Sequence, residues 1–99
     1  MNSDWWKIME SKHDLMKTIK SLIKIIQTLR DPEKGRSWEL KQTHSSLIKY
    51  LLEEAHEVAD AIRSGSDQDL KEKLGDLLFL ILLHAQIASE EKKFYLEDI

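Results

Sequence analysis

The chain has 99 residues, is 41% hydrophobic and 33% charged, carries a formal charge of −3 and contains no cysteine. These figures exclude disulfide scaffolds, thiolate metal sites and disorder, and an acidic balance without aromatic-interleaved lysines argues against a nucleic-acid reader. A domain this short buries only about 60–65% of the surface its unfolded chain exposes, so association with copies of itself would enlarge its core.

Residues 1–50 hold ten Lys or Arg against six Asp or Glu, and residues 51–99 hold five against twelve. A basic half beside an acidic half suits a molecule that cradles phosphate on one side and cations on the other, although an offset this small also arises by accident. The opening MNSDWWKIMESKHD lacks the apolar run and small-residue cleavage site of a signal peptide. Residues 1–13 read as an N-terminal extension of a single domain spanning 1–99, with Trp5 and Trp6 covering an apolar patch on this or a neighbouring subunit. The longest apolar run, Leu77–Leu83, has seven residues, against the roughly 20 of a membrane span. A soluble, cytoplasmic protein with no membrane partner is expected.

From His13 to Arg30, Leu15, Met16, Ile19, Leu22, Ile23, Ile26 and Leu29 recur at spacings of three and four, which predicts an amphipathic helix with Lys17, Lys20 and Lys24 on its other face. Asp31-Pro32 ends it, because a residue before proline is pushed out of the helical region. DPEKGRSWELKQT follows as a polar loop with an exposed Trp38. A second helix is predicted from about Ser45 to Ser64, capped by Thr43 or Ser45 and closed by Gly65. Asp67 is expected to cap a third, from about Gln68 to Ser89. The end, EEKKFYLEDI, reads as a short fourth helix or a tail packed through Phe94 and Leu96. No strand is predicted. The fold class is all-α: a small bundle of about four helices, completed by oligomerisation.

YLLEEAHEVADAI, residues 50–62, sets Glu53, Glu54 and Glu57 into an apolar frame. With Leu47 at zero on a helical wheel, the apolar arc runs to about 140°, Glu54 lies near 340°, Glu57 near 280° and Glu53 near 240°. With Leu70 at zero on the next helix, Lys73 lies near 300° and Asp76 near 240°. Antiparallel packing through the apolar stripes would place Glu54 and Glu57 across a groove from positions 73 and 76. Converging carboxylates repel unless a cation joins them, and Mg²⁺ binds one or two carboxylates together with water and phosphate oxygens. The plain alternative for any Glu-x-x-Glu is a solvated helix flank, and spacing alone favours it. Of the four histidines, 13, 44, 56 and 84, none forms a His-x-x-x-His pair, so zinc is not expected. His84 is expected near the bundle interior.

LIKIIQTLRDPEKGRSWELKQTHSSLIKYLLEEAHEVADAI, followed by LKEKLGDLLFLILLHAQIASEEKKFYLEDI, resembles the MazG-type nucleoside triphosphate pyrophosphohydrolases, members of the all-α NTP pyrophosphatases together with the dimeric dUTPases. The resemblance covers about residues 20–99. It rests on the Leu-Arg-Asp-Pro-Glu-x-Gly loop, a tryptophan followed by Lys41-Gln42-Thr43, the Glu-Glu-x-x-Glu helix and Leu-Gly-Asp-Leu-Leu. It implies Mg²⁺-dependent (Mn²⁺ being possible) hydrolysis of (d)NTP to (d)NMP and pyrophosphate by a homodimer or homotetramer, with a house-cleaning role in the nucleotide pool. The implied metal ligands are Glu54, Glu57 and Asp76. The family's fourth ligand, a glutamate three residues before the aspartate, is replaced here by Lys73. A smaller departure is Arg36-Ser37 where many relatives have Cys-Pro, which loosens that loop.

Three consequences of Lys73 are open. It pairs with Glu54 or Glu57 and displaces metal, leaving an impaired nucleotide-binding or helical assembly module. Or Glu72, about 40° beyond Asp76 on the wheel, takes over as ligand. Or the site holds fewer ions and Lys73 meets a substrate phosphate directly. A surviving but altered site is the preferred outcome. Glu53 is the candidate general base, Lys41, Arg30 and Lys49 are candidate phosphate contacts, and Trp38 is a candidate stacking surface for the base, with plugging of the bundle end as its alternative. Gln42 either reads a base edge or caps the loop. The LLFLILL run is apolar on every side of its helix, so Phe79 and Leu83 are expected to face a partner chain.

Overall fold

The computed structural model describes residues 12–99. The expectations for Trp5 and Trp6 lie outside the described residues. Among the described residues four helices follow in chain order: α1, Lys12–Leu29; α2, Ser37–Leu40; α3, Ile48–Ser64; and α4, Asp67–Glu90, with a 3₁₀ turn at Leu96–Asp98. Among the described residues there is no strand.

α1 ends where Asp31-Pro32 was expected to end it. The Asp31 carboxylate accepts hydrogen bonds from the backbone N–H groups of Glu33 (2.8 Å) and Lys34 (3.0 Å), and these bonds hold its carboxyl below the ordinary carboxylate range. The chain then folds back so tightly that Gly35 N–H donates to the Asp31 carbonyl (2.7 Å) and Arg36 N–H to that of Leu29 (3.1 Å). A Cβ at residue 35 would collide with both of those carbonyl oxygens, which is why glycine stands there. The polar loop therefore contains more order than its composition suggests, including the single turn of α2.

α3 begins at Ile48 rather than Ser45. The preceding turn is closed by a reciprocal pair: Thr43 Oγ1 accepts from Ser46 N–H (3.1 Å) and Ser46 Oγ from Thr43 N–H (2.9 Å). Thr43 thus caps the turn that leads into the helix. Gly65 closes α3 in the left-handed region, φ 73°, as a C-terminal glycine should. That conformation leaves Ser66 extended, and Ser66, not Asp67, caps α4 by accepting from Asp69 N–H. Asp67 is instead the first helical residue, where its charge favours the positive end of the helix dipole.

The two-residue link folds α3 and α4 into an antiparallel hairpin, the main packing of the molecule, and α1 lies against α4. The register is read from matched pairs: Leu47 with Leu83, Glu54 with Asp76 and Glu57 with Lys73. Ile26, Leu47, Leu80, Leu82, Leu83 and Ile87 form the core. The chain turns back at Lys92, φ 57°, and lays Leu96 on that core. Phe94, expected to pack beside it, is exposed.

The expectation that Phe79 and Leu83 face a partner is corrected. Leu83 is fully buried, and Phe79 is a half-buried wall of the cavity described below. Leu22 and Ile26 of α1, Leu51 of α3 and Leu96 of the tail supply the missing cover within one chain. The apolar side chains left uncovered include Leu74, Leu78 and Ile81 on α4, Ile48, Leu52 and Ile62 on α3, and Leu15, Met16, Ile19 and Ile25 on α1.

Candidate functional site

Glu54 and Asp76 come together across the α3/α4 hairpin. They line one cavity of about 320 Å³ with Trp38, Tyr50, Phe79 and Leu80. The helical register produces this set: Tyr50 and Glu54 are four apart on α3, Asp76 and Leu80 four apart on α4, and residues so spaced share a face. Trp38 enters from α2 and meets Tyr50 edge to face, with centroids 5.4 Å apart and planes at 77°, a favoured aromatic geometry. Lys49 Nζ lies over the Tyr50 ring, 5.0 Å from its centroid. Carboxylates thus occupy one part of the cavity and aromatic faces another.

Glu57, one turn beyond Glu54, is drawn to Lys73, whose Nζ lies 3.3 Å from Oε2. Burial, then the charge of Glu57, raises the proton affinity of Glu54, with Asp76 adding to it and Lys73 opposing it. The hydrogen bond to Glu57, and then its charge, hold the Lys73 ammonium above its ordinary value, with Asp76 and Glu54 contributing. The four groups therefore form one electrostatic unit.

Glu54 Oε2 is buried and has no hydrogen-bond partner. A buried carboxylate oxygen in that state is costly, and an oxygen-seeking cation satisfies it; with Asp76 on the same cavity wall, the donor set suits a hard divalent ion. Among the described residues no three His, Asp or Glu side chains stand gathered as a ready cage. The residues fit an ion that would draw Glu57 or a phosphate into its shell.

The other sequence candidates separate. Glu53 is exposed and does not line the cavity. Glu72 accepts from Gln68 Nε2 (3.1 Å) and faces a second cavity with Glu57, Asp60, Asp69 and Lys73. Lys41 is exposed on the loop. Gln42 is committed to capping: its Nε2 donates to the Trp38 carbonyl (2.9 Å) and its Oε1 accepts from Ser46 Oγ (2.7 Å). Arg30, expected at phosphate, is a structural anchor instead. Its guanidinium donates to the carbonyls of Glu39 (2.7 Å), Leu40 (3.3 Å) and Gln42 (3.1 Å) and pairs with Glu90. Periodicity could not show this, because Glu90 lies sixty residues away in sequence.

Sequence reasoning passed over Tyr50, although it stands four positions before Glu54, and it assigned Phe79 to another surface. It also missed the contact between His44 and His84. Their Nδ1 atoms are 2.7 Å apart and their rings tilt by only 6°. That bond needs one imidazole to be a neutral acceptor, and burial followed by the charge of His44 lowers the proton affinity of His84.

The site is thus a helical hairpin that holds two carboxylates against an aromatic cavity in an all-α protein. The chain belongs to the MazG nucleotide pyrophosphohydrolase domain family, whose model matches residues 42–99. It is 46% identical over 84 residues, 85% of its length, to the nucleoside triphosphate pyrophosphohydrolase of Escherichia coli K12. It is 47% identical over 78 residues, 79% of its length, to the nucleoside triphosphate pyrophosphohydrolase/pyrophosphatase MazG of Thermotoga maritima. The chain spans only 32% and 30% of those relatives.

Proposed function

We propose that this chain hydrolyses nucleoside triphosphates, (d)NTP to (d)NMP and pyrophosphate, with Mg²⁺ or Mn²⁺ as the assisting ion. In this reading it acts in the cytoplasm as a homodimer or homotetramer that clears unwanted nucleotides. The observation that carries the reading is the cavity in which Glu54 and Asp76 stand beside Trp38, Tyr50 and Phe79. The relatives' names support the same reaction.

The reaction breaks the α–β phosphoanhydride. A water oxygen bonds to phosphorus, the leaving oxygen keeps the electron pair of the broken bond, and the water proton passes to a base. Glu53, one position before Glu54 but outside the cavity lining, is the candidate to accept it through a relaying water. A bound divalent ion would neutralise charge on the phosphate oxygens and lower the pKa of the attacking water. Glu54, Asp76 and Glu57 would hold that ion, and Glu72 lies close enough in sequence to extend the acidic rim. Trp38 would stack the base, which accepts any base at about 1–3 kcal/mol. Lys41 and Lys49, both exposed, are the candidate contacts for the outer phosphates.

The uncovered side chains of α3 and α4 support self-association: Leu52 is 68% exposed, Ile62 61% and Leu74 48%. A two-helix apolar face is covered most simply by the same face of a second copy about a two-fold axis. Among the described residues no helix is long and apolar enough to cross a membrane.

The test is pyrophosphate release from a panel of ribo- and deoxyribonucleoside triphosphates with Mg²⁺ or Mn²⁺. Release from at least one of them is expected. No release from any, by a folded chain at millimolar metal, overturns the proposal.

A further inference from the structure

We infer that Lys73 is a built-in counter-cation of the acidic cluster, so that each chain takes up one divalent ion and presents the ammonium itself to a substrate phosphate. The inference deepens the function proposed above and rests on it.

Lys73 crosses the hairpin to Glu57 at 3.3 Å, and its side chain is only 35% exposed. It stands one turn before Asp76 on α4 and opposite Glu57, which is one turn after Glu54 on α3, so a single ammonium lies beside the carboxylate-bearing stretch of both helices. The Glu57–Lys73 pair lines the acidic cavity with Asp60, Asp69 and Glu72, one helical turn along the hairpin from the aromatic cavity that Glu54 and Asp76 line. Neither cavity has another basic side chain in its lining.

Charge balance sets the count of ions. Counted by formal charge, Glu54, Glu57 and Asp76 against Lys73 leave −2, which one divalent ion neutralises. A second ion would leave the cluster positive while sharing ligands with an ammonium, a like-charge contact in a partly desolvated site. The oxygens are divided in the same way. Glu57 Oε2 is taken by Lys73, whereas Glu54 Oε2 is buried and unpartnered. The free oxygen and Asp76 serve the ion. The ammonium, with donors beyond the one given to Glu57, serves a phosphate.

Mn²⁺ titration of the full chain without nucleotide, followed by electron paramagnetic resonance of the free ion, tests this. Wild type is expected to bind one Mn²⁺ per chain. Lys73→Gln should bind it at least about tenfold more tightly, the factor expected from removing one positive charge a few ångströms from the ion. Lys73→Glu should bind two. Lys73→Arg, which keeps the cation, should reproduce the wild-type count and affinity. Pyrophosphate added with Mn²⁺ should bind about tenfold more weakly to Lys73→Gln than to wild type or Lys73→Arg. Two comparable Mn²⁺ sites in the wild type, or equal Mn²⁺ affinity in wild type and Lys73→Gln, overturns the inference. Two ions in a wild type that still releases pyrophosphate from (d)NTP removes the inference alone, whereas no Mn²⁺ uptake and no pyrophosphate release removes the proposed function with it. If Lys73→Glu does not fold, the wild-type count and the Gln and Arg variants decide.

Discussion

At the scale of single residues, the site depends on Glu54 and Asp76 more than on their neighbours. Glu54→Gln and Asp76→Asn keep the shape of the cavity and remove an anionic ligand. Each is expected to lower pyrophosphate release by about 10²-fold or more without loss of thermal stability, checked by paired activity and melting measurements. Trp38→Ala should raise KM about tenfold and leave kcat nearly unchanged, since base stacking holds substrate and transition state alike. His84 makes a stability prediction. Burial and His44 lower its proton affinity in the folded chain below the ordinary value of 6.5, so the unfolded chain binds the proton more readily. Its contribution is fully present above pH 6.5 and is lost as pH falls below that value toward the lowered one. Melting temperature should fall over that window in the wild type and flatten in His84→Gln, measured by calorimetry across the range.

At the scale of elements, Arg30 ties three parts of the chain together. Its partners are the carbonyls of α2 and the following loop and the Glu90 carboxylate at the end of α4. Gln86 Nε2 also donates to Glu90 (3.2 Å), steadying the acid that Arg30 grips. Arg30→Ala would strand several buried carbonyls and one carboxylate. It should cost about 2–4 kcal/mol in urea unfolding and raise KM, because α2 carries Trp38. Gly35→Ala acts on the same loop from its other end, where no space exists for a methyl group. The short apolar pair of Leu47 and Leu83, both fully buried, fixes the register that sets Glu54 opposite Asp76.

At the scale of the whole molecule, the proposed self-association through the uncovered apolar side chains of α3 and α4 predicts its state in solution. Sedimentation at micromolar concentration should show a dimer or tetramer, and Leu52→Glu with Leu78→Lys should give a folded species of 11.6 kDa. A monomeric wild type would contradict the self-association. Gly75 belongs to the same argument. It lies within α4, where glycine costs about 1 kcal/mol relative to alanine, yet among the described residues outside its own helical turn nothing approaches within 4 Å of where a Cβ would stand. Close approach by a second copy would account for it.

Much of this was legible in the sequence. Three-and-four spacing placed α1, α3 and α4, the Asp31-Pro32 and Gly65 breaks bounded them, and the wheel set Glu54, Glu57, Lys73 and Asp76 on facing flanks. These are local consequences of one chain's periodicity, and a short turn made the antiparallel hairpin almost obligatory. The tertiary structure alone decided which groups were already spoken for. Arg30 went to backbone carbonyls, Gln42 to a cap, Leu83 to the core and His84 to His44, because each choice depends on groups forty to sixty residues away or on a loop turn that no periodic pattern describes. It also decided that Glu57 answers to Lys73 and that Glu54 keeps a buried oxygen unpaired, a matter of distance and desolvation rather than of spacing along a helix.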